Sequence, residues 1–461
     1  MKKLSVSIVG NGSIGMMAAI LLKKEAPNCD VTIFGRPGRD YSASTAAGAM
    51  ANVYAELEAA PASQLLGEHR LFEAGIKGSE GWRKFLESSG GENVITAEDT
   101  LLVLKKDAYD FERKNYAAVA EKVIEDRIGS IEASQAIEYF TGSRHLLYES
   151  VLRIRGEFAV DTERLFVHLD KLCDELGIRQ SGELVSALDP ASTSIETESG
   201  EWVKSDFVVV AAGANTASLF PAESPIMSMY QGVGTALLVE SPPPGTAIPK
   251  EVIRTVNRGG AQCGVHLVPR GQNGLYIGAG NTVTSVGVPQ VRFETIRYLH
   301  STAEREFFGQ ESAYHFSGSV KLGLRPRSLD GYPLIGPLKS APTVFVASGT
   351  NRVGLTWAPR IASAVVDWVT KQRADGTFEG WGPDRSPLSY ANAEEALDFF
   401  TESRVGAAFE HGLVENKSES LSRKRKEIRQ AGLALLNRLP SGLNEPIPHP
   451  DNWAVLADNV K

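Results

Sequence analysis

Leu4–Val9 alternates apolar and polar side chains, and its valine and isoleucine content predicts a buried strand. The period then changes. Gly10-Asn-Gly-Ser-Ile-Gly15 interrupts the alternation, Met16–Lys24 continues as a helix, and Asp30–Phe34 returns to a strand pattern. Within residues 160–177, Leu165, His168, Leu169 and Leu172 recur at helical spacing and Gly177 supplies a stop; His168 reads most simply as a structural histidine. Glu183–Leu188 and Thr193–Glu198 predict a pair of strands. Phe207–Gly213 is a continuous apolar run that ends on glycine, as expected of a buried strand delivering a turn to the ligand edge of a parallel sheet. Thr343–Ala347 predicts another strand, followed by a second glycine turn, Ser348–Gly354, and a helix over Ala358–Val369. Two further helices are predicted at Ala391–Phe400 and Ser420–Leu439. The second opens on a basic run and carries Ile428, Leu435, Leu436 and Leu439 on a partial apolar face. Such a helix can meet a membrane or a partner; packing on the main body is the expected arrangement.

The strand–turn–helix context gives the first glycine turn chemical meaning, because Gly10, Gly12 and Gly15 fit GxGxxG. Gly10 permits the tight turn, Gly12 lets backbone approach a pyrophosphate, and Gly15 lets the helix pack closely on the sheet. The helix N-terminus adds free N–H groups and partial positive charge. The residue closing the second strand of this motif is usually an acid that holds a ribose. Here it is Gly35, followed by Arg36. An arginine there can accommodate a 2′-phosphate, so the turn alone leaves NAD, NADP and FAD open. The small residues of Tyr41–Met50 would let backbone approach a bulky planar ligand, and equally suit a surface loop.

With 461 residues, 42% hydrophobic and 23% charged, the chain can build a large core over about three ordinary domains. A net charge of −8 argues against general nucleic-acid binding while leaving room for a local basic pocket. Cys29, Cys173 and Cys263 are far apart and lack CxxC spacing, so neither a disulfide framework nor a metal site is expected. Lys2 and Lys3 before an apolar run imitate a signal peptide only until Gly10 and Gly12 break it. No apolar run approaches the ~18–20 residues of a membrane span. The expectation is a soluble, cytoplasmic protein.

Taken together and in order, GNGSIG (10–15), STAAGAM (44–50), VVVAAG (208–213), GLRPRSLDGYPLIG (323–336) and SGTNRVGLTWAP (348–359) resemble the D-amino-acid oxidase superfamily of FAD-dependent oxidoreductases, most closely its glycine oxidase and sarcosine oxidase branch. The resemblance runs from residue 1 to about residue 370. It implies an α/β fold: a Rossmann-like FAD-binding domain of the glutathione-reductase type, an interleaved mixed β-sheet substrate domain, and here a helical C-terminal extension. The FAD domain would comprise 1–80, 150–222 and 320–372, the substrate domain 81–149 and 223–319, and the extension 373–461.

The resemblance also implies site residues. Besides the glycine turn, Ser13 and Ile14 would sit on the pyrophosphate and Gly35 and Arg36 beside the ribose. Ser42, Ala43, Ala47, Gly48 and Ala49 would line the flavin and phosphate side. Val185 would meet the adenine through its backbone, and Gly213 would end a neighbouring strand at the cofactor. Thr350, Asn351, Arg352, Val353, Gly354, Leu355 and Thr356 would close over the flavin's pyrimidine end. Covalently flavinylated relatives carry a cysteine before the last glycine turn. Val320–Pro326 has none, so non-covalent FAD is expected. Arg325 matches the arginine that binds a substrate carboxylate, for which a guanidinium fork is geometrically suited. Arg352 matches a second pocket position. His266 occupies a strand placed over the flavin face, where relatives often carry tyrosine, and it also admits a purely structural reading. Tyr230 is a weaker candidate. The implied reaction is hydride transfer from the C–N carbon of an amino acid or related amine to flavin N5. Imine hydrolysis would follow, with O2 as acceptor giving H2O2. The alternative is a dehydrogenase of an amino or hydroxy acid that uses a non-oxygen acceptor. The implied partners are thus a small amine and O2, with no nucleic acid and no membrane span; a homo-oligomer is compatible.

Overall fold

A computed structural model describes the chain except for residues 1–2, 58–67, 133–147, 242–247, 258–263, 272–273, 285–289, 305–306, 308–316, 374, 389, 391, 411–417, 440–446 and 459–461. Cys263 lies outside the described residues; Cys29 and Cys173 are buried free thiols.

The alternating opening residues form strand Ser5–Val9, which lies parallel between Asp30–Phe34 and Phe207–Val210. Val344–Ser348 adds in parallel to Phe207–Val210, Leu334–Pro337 closes that edge antiparallel, and Arg179–Gln180 closes the other. This six-stranded sheet carries helices Ser13–Glu25, Glu68–Ser89, Thr162–Glu175 and Gly354–Lys371 on one face, around Met16, Met17, Trp82, Leu165, Leu169 and Ile361. Trp82 shows how tightly that layer closes: it is buried and donates its indole N–H to the Leu355 carbonyl at 2.6 Å. Asp161 begins the middle helix by accepting from the Glu163 and Arg164 N–H groups (2.9 and 3.1 Å), the capping expected of aspartate. The predicted strand pair appears as Val185–Asp189 and Ser194–Thr197, joined by Trp202–Lys204 in a small antiparallel sheet whose Leu188 and Ile195 pack in one cluster with Val208 and Val210.

The second large sheet has eight strands, in the order Ser317–Ser328, Met229–Ser241, Gly274–Thr284, His266–Arg270, Val252–Thr255, Ile95–Lys105, Tyr148–Val160 and Gly129–Glu132. It is antiparallel except where Val252–Thr255 meets Ile95–Lys105. The strands cross the segment limits expected from the sequence. Tyr148–Val160 and Ser317–Ser328 belong to this sheet, although most of their residues were expected in the nucleotide half. Helix Glu68–Ser89 bridges the two: Ala74, Trp82, Phe85 and Leu86 pack in the cluster of the six-stranded sheet, and Phe72 and Ile76 against that of the eight-stranded one.

Beyond residue 373 the chain forms helices Ala393–Glu410 and Ser418–Leu436 and a short terminal helix, Trp453–Asp458. Basic side chains of the second helix are committed within the extension. Arg425 binds Glu402 through two contacts of 2.7 and 2.8 Å, and Arg429 pairs with Glu394 and Asp398 on the preceding helix. Trp453 is fully buried and stacks on Phe400 with centroids 5.4 Å apart. No helix among the described residues is long and apolar enough to cross a membrane.

Candidate active site

A cavity of about 500 Å³ opens where the two sheets meet, within the range of small-molecule sites. The residues singled out in the sequence converge on it from eight separate stretches. Gly10, Gly12, Ser13 and Ile14 line one end, with Gly35, Arg36, Val185 and Gly213 beside them. Ser42, Ala43, Ala47, Gly48 and Ala49 form one wall, and Thr350 to Thr356 another. Arg325 and His266 line the same space. Gly15 does not. A Cβ there would stand 1.9 Å from the Gly10 carbonyl oxygen, so its role is the close packing of helix on turn rather than contact with a ligand. Tyr230 is buried in the core beside Met229 rather than in the cavity. His168 is structural, its Nε2 2.8 Å from Ser89 Oγ.

At the glycine-turn end the backbone is bare of side chains. Gly10 holds φ +114, and a Cβ on it would meet the Ala211 carbonyl oxygen at 2.2 Å, so two strand-end turns touch with no space for a side chain. Gly12 caps helix Ser13–Glu25 without a side-chain cap, and the first turn holds no acid. The Ser13 N–H is met by Ser44 Oγ at 3.1 Å. The missing acid at position 35 has a steric cause: any Cβ there would fall 2.6–2.7 Å from the Asn11 side chain, whose Nδ2 donates to the Arg36 carbonyl at 2.8 Å. Arg36 Nη2 donates to both carboxylate oxygens of Glu198, at 2.9 and 2.8 Å, which leaves the 2′-phosphate reading without an uncommitted arginine at that position. Arg39, not anticipated, also lines this end. It binds Asp170 at 2.5 Å and donates to the Asn11 carbonyl at 3.0 Å.

At the other end, Arg325 lies across the neighbouring strand because Gly232 and Gly234 leave space. A Cβ on Gly234 would sit 3.1–3.3 Å from the guanidinium. Among the described residues nothing hydrogen-bonds or ion-pairs with Arg325. The neighbouring arginines are committed. Glu56 binds Arg352 Nε and Arg254 Nη1, each at 2.7 Å, and Asn257 links Arg254 to the Glu56 backbone. Burial opposes the charge on Glu56, but Arg254 and Arg352 outweigh it and hold the carboxyl down to about 2. Glu56 and Arg254 were missed from the sequence. Val252-Ile-Arg-Thr255 did contain a signal, since an arginine inside an apolar strand must find a carboxylate.

His266 stacks on Tyr276 with centroids 5.8 Å apart and planes at 12°, against the wall formed by Gly48. Burial, then the positive charge of Arg254, pushes its pKa down to about 3, so the imidazole is neutral at ordinary pH. Its Nδ1 is buried without a hydrogen-bond partner of good geometry among the described residues.

Behind this end, buried Glu157 accepts the Val53, Tyr54 and Ala55 N–H groups (2.7, 2.5 and 3.2 Å), capping the turn that carries Glu56. Burial pushes its carboxyl up to about 7 from 4.5. Between those values the folded chain binds more protons than the unfolded one, so this contribution to stability is full below pH 4.5 and is lost as pH rises through about 7. Glu157→Gln should remove the loss. Thermal unfolding from about pH 5 to pH 8 should show the variant gaining on the parent as pH rises, whereas a constant difference contradicts this titration.

Comparisons with known proteins agree with this geometry. The family model described as "FAD dependent oxidoreductase" (DAO) matches residues 5–368. Glycine oxidase of Geobacillus kaustophilus (strain HTA426) is 27% identical over 184 residues, a segment that spans 40% of this chain and 45% of that protein. Among solved structures, glycine oxidase from Geobacillus kaustophilus superposes with a TM-score of 0.69 at 21% identity, covering 83% of this chain and 99% of the other. Iminodiacetate oxidase from Chelativorans sp. BNC1 gives 0.67 at 17%, covering 83% and 100%. L-Proline dehydrogenase from P. horikoshii gives 0.66 at 16%, covering 83% and 97%. At these identities the structural likeness concerns the fold.

Proposed function

The chain belongs to the DAO family of FAD-dependent oxidoreductases, and from that premise we propose that it oxidises the C–N bond of an amino acid or a related carboxylate-bearing amine. The observation that carries the proposal is Arg325: a guanidinium fork without a protein partner among the described residues, in the same cavity as a glycine cradle shaped for a diphosphate.

The residues present suit FAD. The side-chain-free turn at Gly10 and Gly12, the helix behind it with no cap from its own N-cap residue, and the small-residue wall at Ala47–Ala49 suit a diphosphate's need for N–H donors and a flat ring's need for clearance. When bound, FAD supplies the acceptor for the hydride that leaves the substrate's C–N carbon. The chain's own part is orientation and electrostatics. Arg325 receives the carboxylate through two charge-assisted bonds and so fixes the adjacent carbon. Glu56 neutralises much of the field of Arg352 and Arg254, which leaves Arg325 as the attractive seat for an anion at this end. Positive charge develops on the substrate as hydride departs. A protonated imidazole would oppose it, and burial keeps His266 neutral. Tyr276 holds that imidazole from one face, itself fixed by a bond of 3.0 Å from its hydroxyl to the Ala46 carbonyl. No protein base is required if the amine binds uncharged, and water then cleaves the released imine.

With dioxygen as terminal acceptor, one amine, one O2 and one water give one carbonyl product, one H2O2 and one ammonia or smaller amine. Product analysis on a panel of amino acids and N-substituted glycines tests this balance. Equal yields of peroxide and 2-oxo acid (glyoxylate from glycine and its N-substituted forms) support it. Turnover only with an artificial dye acceptor supports a dehydrogenase instead, and turnover of hydroxy acids alone contradicts C–N oxidation.

A further inference from the structure

The C-terminal segment lies outside the matched family region, yet it reaches the strand that carries Arg325. Arg327, two residues along, is buried in a polar socket made by that segment. Its Nη2 donates to Asp451 Oδ2 at 2.9 Å and to His449 Nδ1 at 3.0 Å, and its Nε donates to Asn452 Oδ1 at 3.2 Å. Asn452 continues inward, its Nδ2 donating to the Ser328 and Leu329 carbonyls at 3.3 and 2.8 Å. Burial, then the Arg327 charge, brings His449 down to about 4, which leaves Nδ1 a lone pair to accept with. Asp330 is gripped in the same way. Arg385 forks onto it, and the Leu388 N–H donates to its Oδ2 at 2.8 Å. Just before these anchors the strand touches the other wall of the cavity, because the Pro326 carbonyl accepts the Asn351 N–H at 2.7 Å, next to Arg352.

We propose that the C-terminal extension is a working part of this site: Asp451, His449 and Asn452 hold Arg327 in a buried socket and thereby fix the strand register that aims Arg325 into the cavity. Rigid packing alone would not require a buried arginine. A one-residue slip would turn every side chain of Ser317–Ser328 to the opposite face, and a two-residue slip would exchange Arg325 for Arg327 in the cavity. Arg325 sits opposite Gly232 and Pro326 opposite Gln231, so this stretch has little side-chain bulk at one pair and lacks a ladder N–H at the next. A buried ion pair accepts one register and penalises the others, which is the best-attested use of such pairs. Asp451 and Asn452 are therefore positioning residues that act through Arg327.

This inference rests on Arg325 being the carboxylate seat, and its test separates the two. The holoenzymes of the parent, Asp451→Asn, Asn452→Ala and Arg325→Ala are titrated with acetate while the visible flavin spectrum is followed. Asn452→Ala removes only a neutral amide and guards against the buried charge change unfolding the chain. The expected result is unchanged flavin content in both socket variants, with weaker acetate binding, about tenfold for Asp451→Asn and less for Asn452→Ala. Turnover should follow, with a higher KM for an amino acid and an unchanged KM for the corresponding amine without a carboxylate. If the parent responds to acetate and Arg325→Ala does not, but both socket variants bind acetate like the parent and merely melt lower, the extension is only packing and the inference is overturned. If the parent is insensitive to acetate, the carboxylate reading itself falls, and this inference with it.

Discussion

Replacing Arg325 with alanine should lower kcat/KM on amino-acid substrates by roughly 30- to 300-fold while leaving bound FAD in place. Losing one partner of a charged, hydrogen-bonded contact costs about 2–5 kcal/mol, and each 1.4 kcal/mol is about tenfold. The half-buried position of the side chain favours the lower part of that range. The loss should be selective: an amine without a carboxylate never used the fork and should react with parent and variant alike. Arg325→Lys should fall between, because an ammonium keeps the charge and loses the two-point geometry. Steady-state kinetics on a matched pair of substrates, with and without the carboxylate, makes the check. Equal losses on both would show that Arg325 supports the fold of the cavity instead of gripping an anion.

The second large effect is expected at Glu56. Arg254 is fully buried and Arg352 largely so, and both depend on this carboxylate. Glu56→Gln leaves a buried guanidinium without its anion, which costs about 3–5 kcal/mol and should lower Tm by on the order of 10 °C. The carboxyl is held at about 2, so its contribution is complete above pH 4.5 and disappears as pH falls towards 2; the gap between parent and variant should close over that interval. The variant should also acquire inhibition by inorganic sulfate, because Arg352, which lines the cavity, would then lose the carboxylate that offsets its charge. Thermal melts against pH, together with a sulfate titration of activity, test both consequences. A variant as stable as the parent and indifferent to sulfate would contradict the role assigned to Glu56.

How much of this could be read in the sequence follows from how local each signal is. The first glycine turn was legible because a change of hydrophobic period brackets it, and strand Asp30–Phe34 appears where the pattern placed it. Gly10, Gly12 and the last glycine turn are backbone features, and such features are written in neighbouring residues. The Glu56–Arg254 pair was not legible, since its partners are 198 positions apart and the strand order that joins them has no signature in either segment. The absence of an acid at Gly35 was visible, but its cause, the Asn11 side chain folded over the position, depends on the turn being closed. The extension's basic helix was recognised as a helix. Which of its faces was committed could not be read, because Arg425 and Arg429 find their acids on a helix that begins 25 residues before its own first residue.

The central claim is that one cavity holds FAD and a carboxylate-bearing amine together. The most direct measurement is the visible spectrum of the purified protein, recorded without oxygen before and after addition of amino acids and N-substituted glycines. The account predicts a flavin spectrum that is released on denaturation and bleaches with at least one such amine, and bleaching at comparable substrate concentration should fail in Arg325→Ala although its flavin is retained. A protein with a full flavin spectrum that no amine bleaches, but a hydroxy acid does, would contradict it.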